Sequence, residues 1–278
     1  KVLDGSISIG VGADLQVKKA FRSAVCSNHS ATHLMHESLR TILGNHVVQR
    51  GSLNDATRLR FDFSHSKPLT EQELKGIDIE VNKYIRQNSL VSTRLMTPDE
   101  AKKLGARALF GEKYGEEVRV VSMGFKENSG LGVHKNNYSA ELCGGTHVKR
   151  TGEIGFFKII SETASSSGVR RIEALTGSDA IGHILEEGKT LAALSDLLKV
   201  NSSEVIARVR NLIENKKQIE LELSNIRKKI AMGDNGDNKD PKDGVHFLEK
   251  SNISFVGRIL KGVEAKDLRV LLDKKKKE

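Results

Sequence analysis

Asn28-His29-Ser30-Ala31-Thr32-His33-Leu34 is the stretch on which the reading of the fold turns. Asn28 can cap a helix that runs to about Leu43, where Gly44 stops it. On such a helix positions 29 and 33 share one face, about 6 Å apart, so two imidazoles reach a single metal ion. Position 30 is Ser, so the glutamate base of an HExxH protease is not built in. In a chain with nine histidines, this pair alone is better read as a coincidence or a surface pair.

A second pair completes the set. Glu141-Leu142-Cys143-Gly144-Gly145-Thr146-His147 places a thiol and an imidazole four residues apart, both good zinc ligands. The two glycines between them open backbone shapes closed to other residues and allow close approach to the chain. Together His29, His33, Cys143 and His147 offer three imidazoles and one thiolate, a donor set that favours one Zn2+ per chain. Four protein ligands make the closed pattern of a structural site, whereas catalytic zinc keeps a position open. Both uses stay open on the sequence.

Outward from the first pair, Thr70-Glu71-Gln72-Glu73 has capping-box spacing ahead of a helix with Leu74, Ile77, Val81 and Ile85 on one face. Thr97-Pro98-Asp99-Glu100 opens a third helix with Pro at its first position. Strand-like runs occupy Arg58–Phe63, Glu117–Met123, Ile154–Ser161 and Val169–Thr176. Helices and strands mixed without strict βαβ alternation predict an α+β domain over 28–177. Residues 1–27, with the alternation Ser6-Ile7-Ser8-Ile9 and Gly turns, read as a truncated β-barrel or linker remnant.

From Ser178 the pattern turns helical, giving an arm over 178–232. Val205, Val209, Leu212, Lys216, Ile219, Leu223, Ile226 and Ile230 step by four and three, a coiled-coil-like seam with one polar interruption. Leu198-Lys199-Val200-Asn201-Ser202 marks a break, with Asn201 or Ser202 as cap. Residues 233–244 hold no large apolar side chain and read as a flexible linker. A partial C-terminal α/β domain comes next over 245–278, ending in a lysine run.

Composition narrows the class. Net charge is +9 and pI about 9.4, which favours an anionic partner such as nucleic acid. Two cysteines exclude a disulfide scaffold and favour a reducing interior. No apolar run approaches the length of a membrane span and no signal peptide is visible, so no membrane partner is expected. With no Trp, a stacking platform for single-stranded bases is disfavoured. The chain does not start with Met, and a longer parent is expected.

Six blocks in order carry a resemblance: Asn28–Leu34, Gln49-Arg50-Gly51-Ser52-Leu53, Arg58–His65, Ala108–Gly115, Glu141–His147 and Gly168-Val169-Arg170-Arg171-Ile172-Glu173-Ala174. Over about residues 10–177 they closely resemble the editing domain of the alanyl-tRNA synthetases, and the arm and C-terminal piece fit the region that succeeds this domain in that family. The resemblance implies zinc held by His29, His33, Cys143 and His147, and hydrolysis of tRNA(Ala) mischarged with serine or glycine. It places Gln49 in the editing pocket. Thr32 is a candidate for the same pocket's polar wall, or a residue of helix packing, and Cys143 is expected to be essential through the metal. The threonyl-tRNA editing domain and free-standing editing proteins share the core, but the Cys-Gly-Gly-Thr-His wording and the arm favour the alanyl type. The ATP-dependent aminoacylation domain is missing, so ligase activity belongs to the parent. A tRNA-binding and dimerisation module with a purely structural zinc is the rival reading. Arg170 and Arg171 are candidates for contact with tRNA phosphates, or strand-surface charges facing acidic neighbours. A homodimer through the arm or C-terminal domain, and a cytoplasmic or mitochondrial location, complete the expectations.

Overall fold

The computed structural model describes residues 4–6, 8–107, 115–126, 137–231, 245–248 and 253–256. The chain divides into two compact units, Lys1–Gly188 and Lys189–Glu278.

The first unit is an α+β fold built on antiparallel pairs. Its elements are α1 (Lys19–Leu43), β1 (Gln49–Asn54), β2 (Leu59–Ser64), α2 (Glu71–Arg86), β3 (Ser92–Met96), α3 (Pro98–Lys103), β4 (Val118–Phe125), β5 (Asn137–Leu142), β6 (Phe157–Ser166) and β7 (Val169–Thr176). They form a four-stranded sheet in the order β1-β2-β7-β6 and a three-stranded sheet β3-β4-β5. Period-two alternation explains β2: Leu59, Phe61 and Phe63 are fully buried. The intervening Asp62 is buried against Arg171 of the paired strand β7. Burying each of these phenylalanines contributes about 1.5–3 kcal/mol. They join Leu34, Met35 and Leu39 of α1, Ile77 and Val81 of α2, and Phe157 of β6 in one core.

Two of the expected helix starts occur where sequence placed them. Thr70 accepts from the Glu73 N–H at 3.2 Å, and the Thr70 N–H donates to the Glu73 carboxylate at 2.7 Å, closing both halves of the capping box. Ile77, Val81 and Ile85 of α2 are buried and Leu74 packs partly buried beside them. Thr97 caps α3 in the same way with Glu100. Asn82 crosses from α2 to the sheet, its amide both donating to Phe157 O at 2.8 Å and accepting from Phe157 N at 3.0 Å.

Other expectations need correction. The first helix begins at Lys19, nine residues before Asn28, because Lys19 to Val25 holds ordinary helix formers and no breaker. Asn28 is therefore not a cap: it is buried inside α1, donating to Asp55 O and accepting from Thr176 Oγ1. The segment 8–18 forms no strand. Ile154 ends a 3-10 turn, Thr151–Ile154; Gly155 comes next at φ 81°, and β6 starts only at Phe157. Strands β1, β3 and β5 lie where no strand was expected. Most of the block Ala108–Gly115 and the stretch 233–244 fall outside the described residues.

The second unit holds the end of α4 (Gly177–Leu198), α5 (Val205–Ala231) and a hairpin of β8 (Val245–Leu248) and β9 (Ile253–Val256). The break between the helices falls at Lys199, which takes φ 54°, and a 3-10 turn Ser202–Glu204 then leads into α5. In α5 Val205 is buried, whereas Val209, Leu212, Ile219, Leu223 and Ile226 are exposed. Beyond Val205, nothing among the described residues covers the stripe expected from the heptad spacing. Among the described residues no helix is long and apolar enough to cross a membrane.

Candidate metal centre

Helix α1 carries His29 and His33 on one face, and the loop leaving β5 carries Cys143 and His147. One potential ligand atom from each of the four lies within 4.8 Å of every other. Cys143 Sγ is 3.4 Å from His29 Nε2 and 3.4 Å from His147 Nε2. With metal bonds of about 2.3 Å to sulfur and about 2.0–2.1 Å to nitrogen, a tetrahedral S–N edge measures about 3.5 Å. The spacing therefore suits a tetrahedral ion. His33 Nε2 is buried and makes no hydrogen bond, which is costly for a nitrogen without a ligand. Both observations fit a soft-to-borderline cation such as zinc on this donor set.

The loop geometry explains the glycine at position 145. A Cβ there would sit 2.5 Å from His29 Nδ1 and closer still to Cε1, so only glycine lets the ring approach; Gly144 meets nothing within 4 Å. Arg119 of β4 then fastens the turn, donating from Nη1 to Cys143 O at 2.6 Å and Gly145 O at 2.8 Å. The hydroxyl of Ser30 lies 3.2 Å from His147 Nδ1 and accepts from the Val148 N–H at 3.2 Å, which turns the opposite nitrogen of that ring toward the thiol.

A buried carboxylate stands behind the cluster. Glu141 Oε2 accepts from His33 Nδ1 at 2.5 Å, and His36 Nδ1 lies 2.7 Å from Oε1. Burial works against the charged form of Glu141, but His33 and His36 outweigh it and hold the carboxyl far below its usual range. Burial likewise opposes ionisation of Cys143, yet hydrogen bonds from His147 and His29, with His33 close by, bring the thiol down to about 3. A thiolate is the form that binds a metal. Burial alone would lower the pKa of His33; the Glu141 charge reverses this and raises it to about 10. His147 shifts down, chiefly through burial.

The remaining predicted site residues stand apart from these four in what they touch. Thr32 is buried, its hydroxyl 2.9 Å from Asn28 O and 2.7 Å from Asn54 Oδ1 of β1. Gln49 opens β1 and donates to Ser52 Oγ at 3.1 Å. Arg170 is held on Glu162 through two nitrogens, one contact at 2.7 Å, and Arg171 on Asp62 at 2.6 and 2.8 Å. Both guanidinium groups are thus on acidic neighbours, the second of the two roles weighed for them. Sequence reasoning missed Ser30, His36, Arg119 and Glu141. Glu141 stood inside a quoted block and His36 lies three residues after His33, but neither spacing by itself says that the two rings share one carboxylate.

Residues 118–173 match the family model described as threonyl and alanyl tRNA synthetase second additional domain. The whole chain is 50% identical over 278 residues to alanine–tRNA ligase of Ruegeria sp. (strain TM1040), covering 31% of that protein. It is 52% identical over 263 residues, 95% of the chain, to the alanine–tRNA ligase of Dinoroseobacter shibae, covering 29% of it. With the alanine–tRNA ligase of Paracoccus denitrificans the identity is 50% over 272 residues, 98% of the chain and 30% of the relative. The chain belongs to the alanine–tRNA ligase family. It spans about 30% of the length of these curated relatives. The matched domain runs from β4 to β7 and so contains Cys143 and His147, while His29 and His33 come from α1 outside it.

Proposed function

We propose that the chain is the editing part of an alanine–tRNA ligase, and hydrolyses the ester that joins serine or glycine to the 3' end of tRNA(Ala). The observation that carries this reading is the convergence of His29, His33, Cys143 and His147 from segments more than a hundred residues apart. These four would hold zinc. Bound there, the ion supplies Lewis-acid polarisation of an ester carbonyl or a water of lowered pKa.

The chain's own residues account for orientation and choice. Arg119 and Ser30 hold the loop and the His147 ring. Thr32 has one hydroxyl proton, directed at Asn28 O or Asn54 Oδ1, so toward a substrate it acts as an acceptor. A serine hydroxyl can donate to such an oxygen and alanine cannot. With Gln49 contributing a second polar group, a pocket of this kind favours the seryl over the alanyl ester by about 10⁴-fold, because the alanyl ester leaves the pocket's polar groups unpaired; the glycyl ester, with no hydroxyl, gains nothing from them. Affinity for tRNA(Ala) comes from the wider basic surface, since Arg170 and Arg171 would have to leave their carboxylates to meet phosphate. The uncovered stripe on α5 belongs to a helical arm that a second copy or the rest of the parent covers. The reaction belongs in a compartment that makes and uses aminoacyl-tRNA, the cytoplasm or, in a eukaryote, the mitochondrion.

One observation favours a second reading. Four protein donors form the closed set of a structural zinc, with no position left for substrate. In that case the domain would bind tRNA and the metal would only hold α1 to the β5 loop. Incubating the chain with seryl-tRNA(Ala) and alanyl-tRNA(Ala), with and without chelator, tests the two. The editing reading predicts chelator-sensitive loss of the seryl ester alone.

A further inference from the structure

Glu141 is the penultimate residue of β5, two positions before Cys143, and points into the protein beneath the ligand cluster. It is 5% exposed, and His33 and His36 are each 6% exposed. His33 and His36 are three apart on α1, so both rings lie on the face that meets β5. The carboxylate serves them with separate oxygens: Oε2 takes the Nδ1–H of His33 at 2.5 Å, and Oε1 lies 2.7 Å from His36 Nδ1. The second contact is close but out of line for a well-directed hydrogen bond, since Oε1 and His36 Nδ1 satisfy no such geometry. Among the described residues the carboxylate pairs with no Lys or Arg: Arg107 and Lys126 pair with Glu37 instead.

A neutral imidazole carries its proton on one nitrogen only, and the partner of one nitrogen decides what the other can do. A metal ligand must be the neutral ring; when His33 gives up its second proton, the Nδ1–H stays on Glu141 and Nε2 is left with the free lone pair, and this is the buried nitrogen that no hydrogen bond satisfies. We propose that Glu141, steadied by His36, is a positioning residue that keeps the proton of His33 on Nδ1 and so presents its bare Nε2 to the Cys143, His29 and His147 cluster. The proposal rests on the metal-site reading of those four residues. A carboxylate that only filled space in the core would leave the choice of nitrogen to chance and would not affect metal affinity at constant fold.

The test compares the parent chain with Glu141→Ala and Glu141→Gln, using zinc alone as the ligand. Zinc affinity is measured by competition with a chromophoric chelator, fold by circular dichroism, and the proton position on His33 and His36 by ¹⁵N NMR of the imidazoles. We expect Glu141→Ala to bind zinc about 10–100-fold more weakly, and the His33 Nδ1 proton signal to be lost. Glu141→Gln keeps one carbonyl oxygen and is expected to fall in between; it decides the matter if the alanine variant does not fold. A folded variant with parental zinc affinity and an unchanged His33 proton overturns the proposal, as does a parent protein whose His33 carries its neutral-form proton on Nε2. If the parent binds no zinc but shows the Nδ1 proton that disappears in Glu141→Gln, the metal reading fails and the positioning role stands.

Discussion

The imidazole of His29 packs against the backbone of Gly145, where a methyl group would come within 2.5 Å of Nδ1. A contact that short forces either the ring or the loop to move, and the ring is one of the four donors. The glycine is therefore a condition for the donor set to close, whereas its neighbour Gly144 has open space where a side chain would sit.

Gly145→Ala is accordingly expected to lower metal affinity by about tenfold or more, on the scale of lost supporting contacts at metal sites. Gly144→Ala should keep near-parental affinity. Metal content after dialysis against a graded zinc buffer separates them, and equal content in both variants would count against the packing argument.

The cap of α2 gives a pH-dependent prediction. Hydrogen bonds from the Thr70 N–H, then its hydroxyl, hold the Glu73 carboxyl below its usual value of 4.5. A carboxyl depressed in the folded state stabilises fully above its unfolded pKa, and that contribution is lost as pH falls through the lower folded value. Thr70→Ala should cost about 1 kcal/mol at neutral pH and progressively less as pH drops below about 4.5. Urea unfolding at pH 7 and in the acid range checks the sign; a cost that grows toward acid would refute it.

Asn82 satisfies both main-chain groups of Phe157 with one amide. Asn82→Leu would leave that N–H and C=O buried without partners, a loss of about 1–3 kcal/mol for each group. We expect a destabilised protein whose zinc content is unchanged, since Asn82 belongs to the α2–β6 contact and not to the ligand loop. Calorimetric melting with parallel metal analysis would show it.

How far the sequence could be read depends on the kind of physics that sets each feature. Capping boxes are local, so Thr70 and Thr97 were legible as helix starts. The period-two run of β2 and the apolar face of α2 were legible for the same reason. The start of α1 was not, because Lys18 offers no side-chain cap and Asn28, a plausible one, is committed to tertiary bonds with Asp55 and Thr176. Strands β1 and β3 are largely exposed and β5 is mostly buried, so none shows a clean period-two alternation, and all three draw their stability from pairing, which spacing does not reveal. At the metal centre the four donor types were readable from two short motifs and a family resemblance. The groups behind them were not: Glu141 with His36, and Arg119 on the loop carbonyls, are relations between segments that meet only in the folded chain.

The central claim is that metal ligation at Cys143 serves ester hydrolysis, not only the fold. Its most direct test is the rate at which the parent chain and Cys143→Ala deacylate seryl-tRNA(Ala), measured together with tRNA affinity and circular dichroism. Affinity should rest on many dispersed Lys and Arg contacts, whereas hydrolysis should rest on the few groups gathered by Cys143. The account predicts a folded Cys143→Ala protein that binds tRNA within about twofold of the parent and deacylates about 100-fold or more slowly. A folded variant that binds tRNA and still clears seryl-tRNA(Ala) at the parental rate would contradict it.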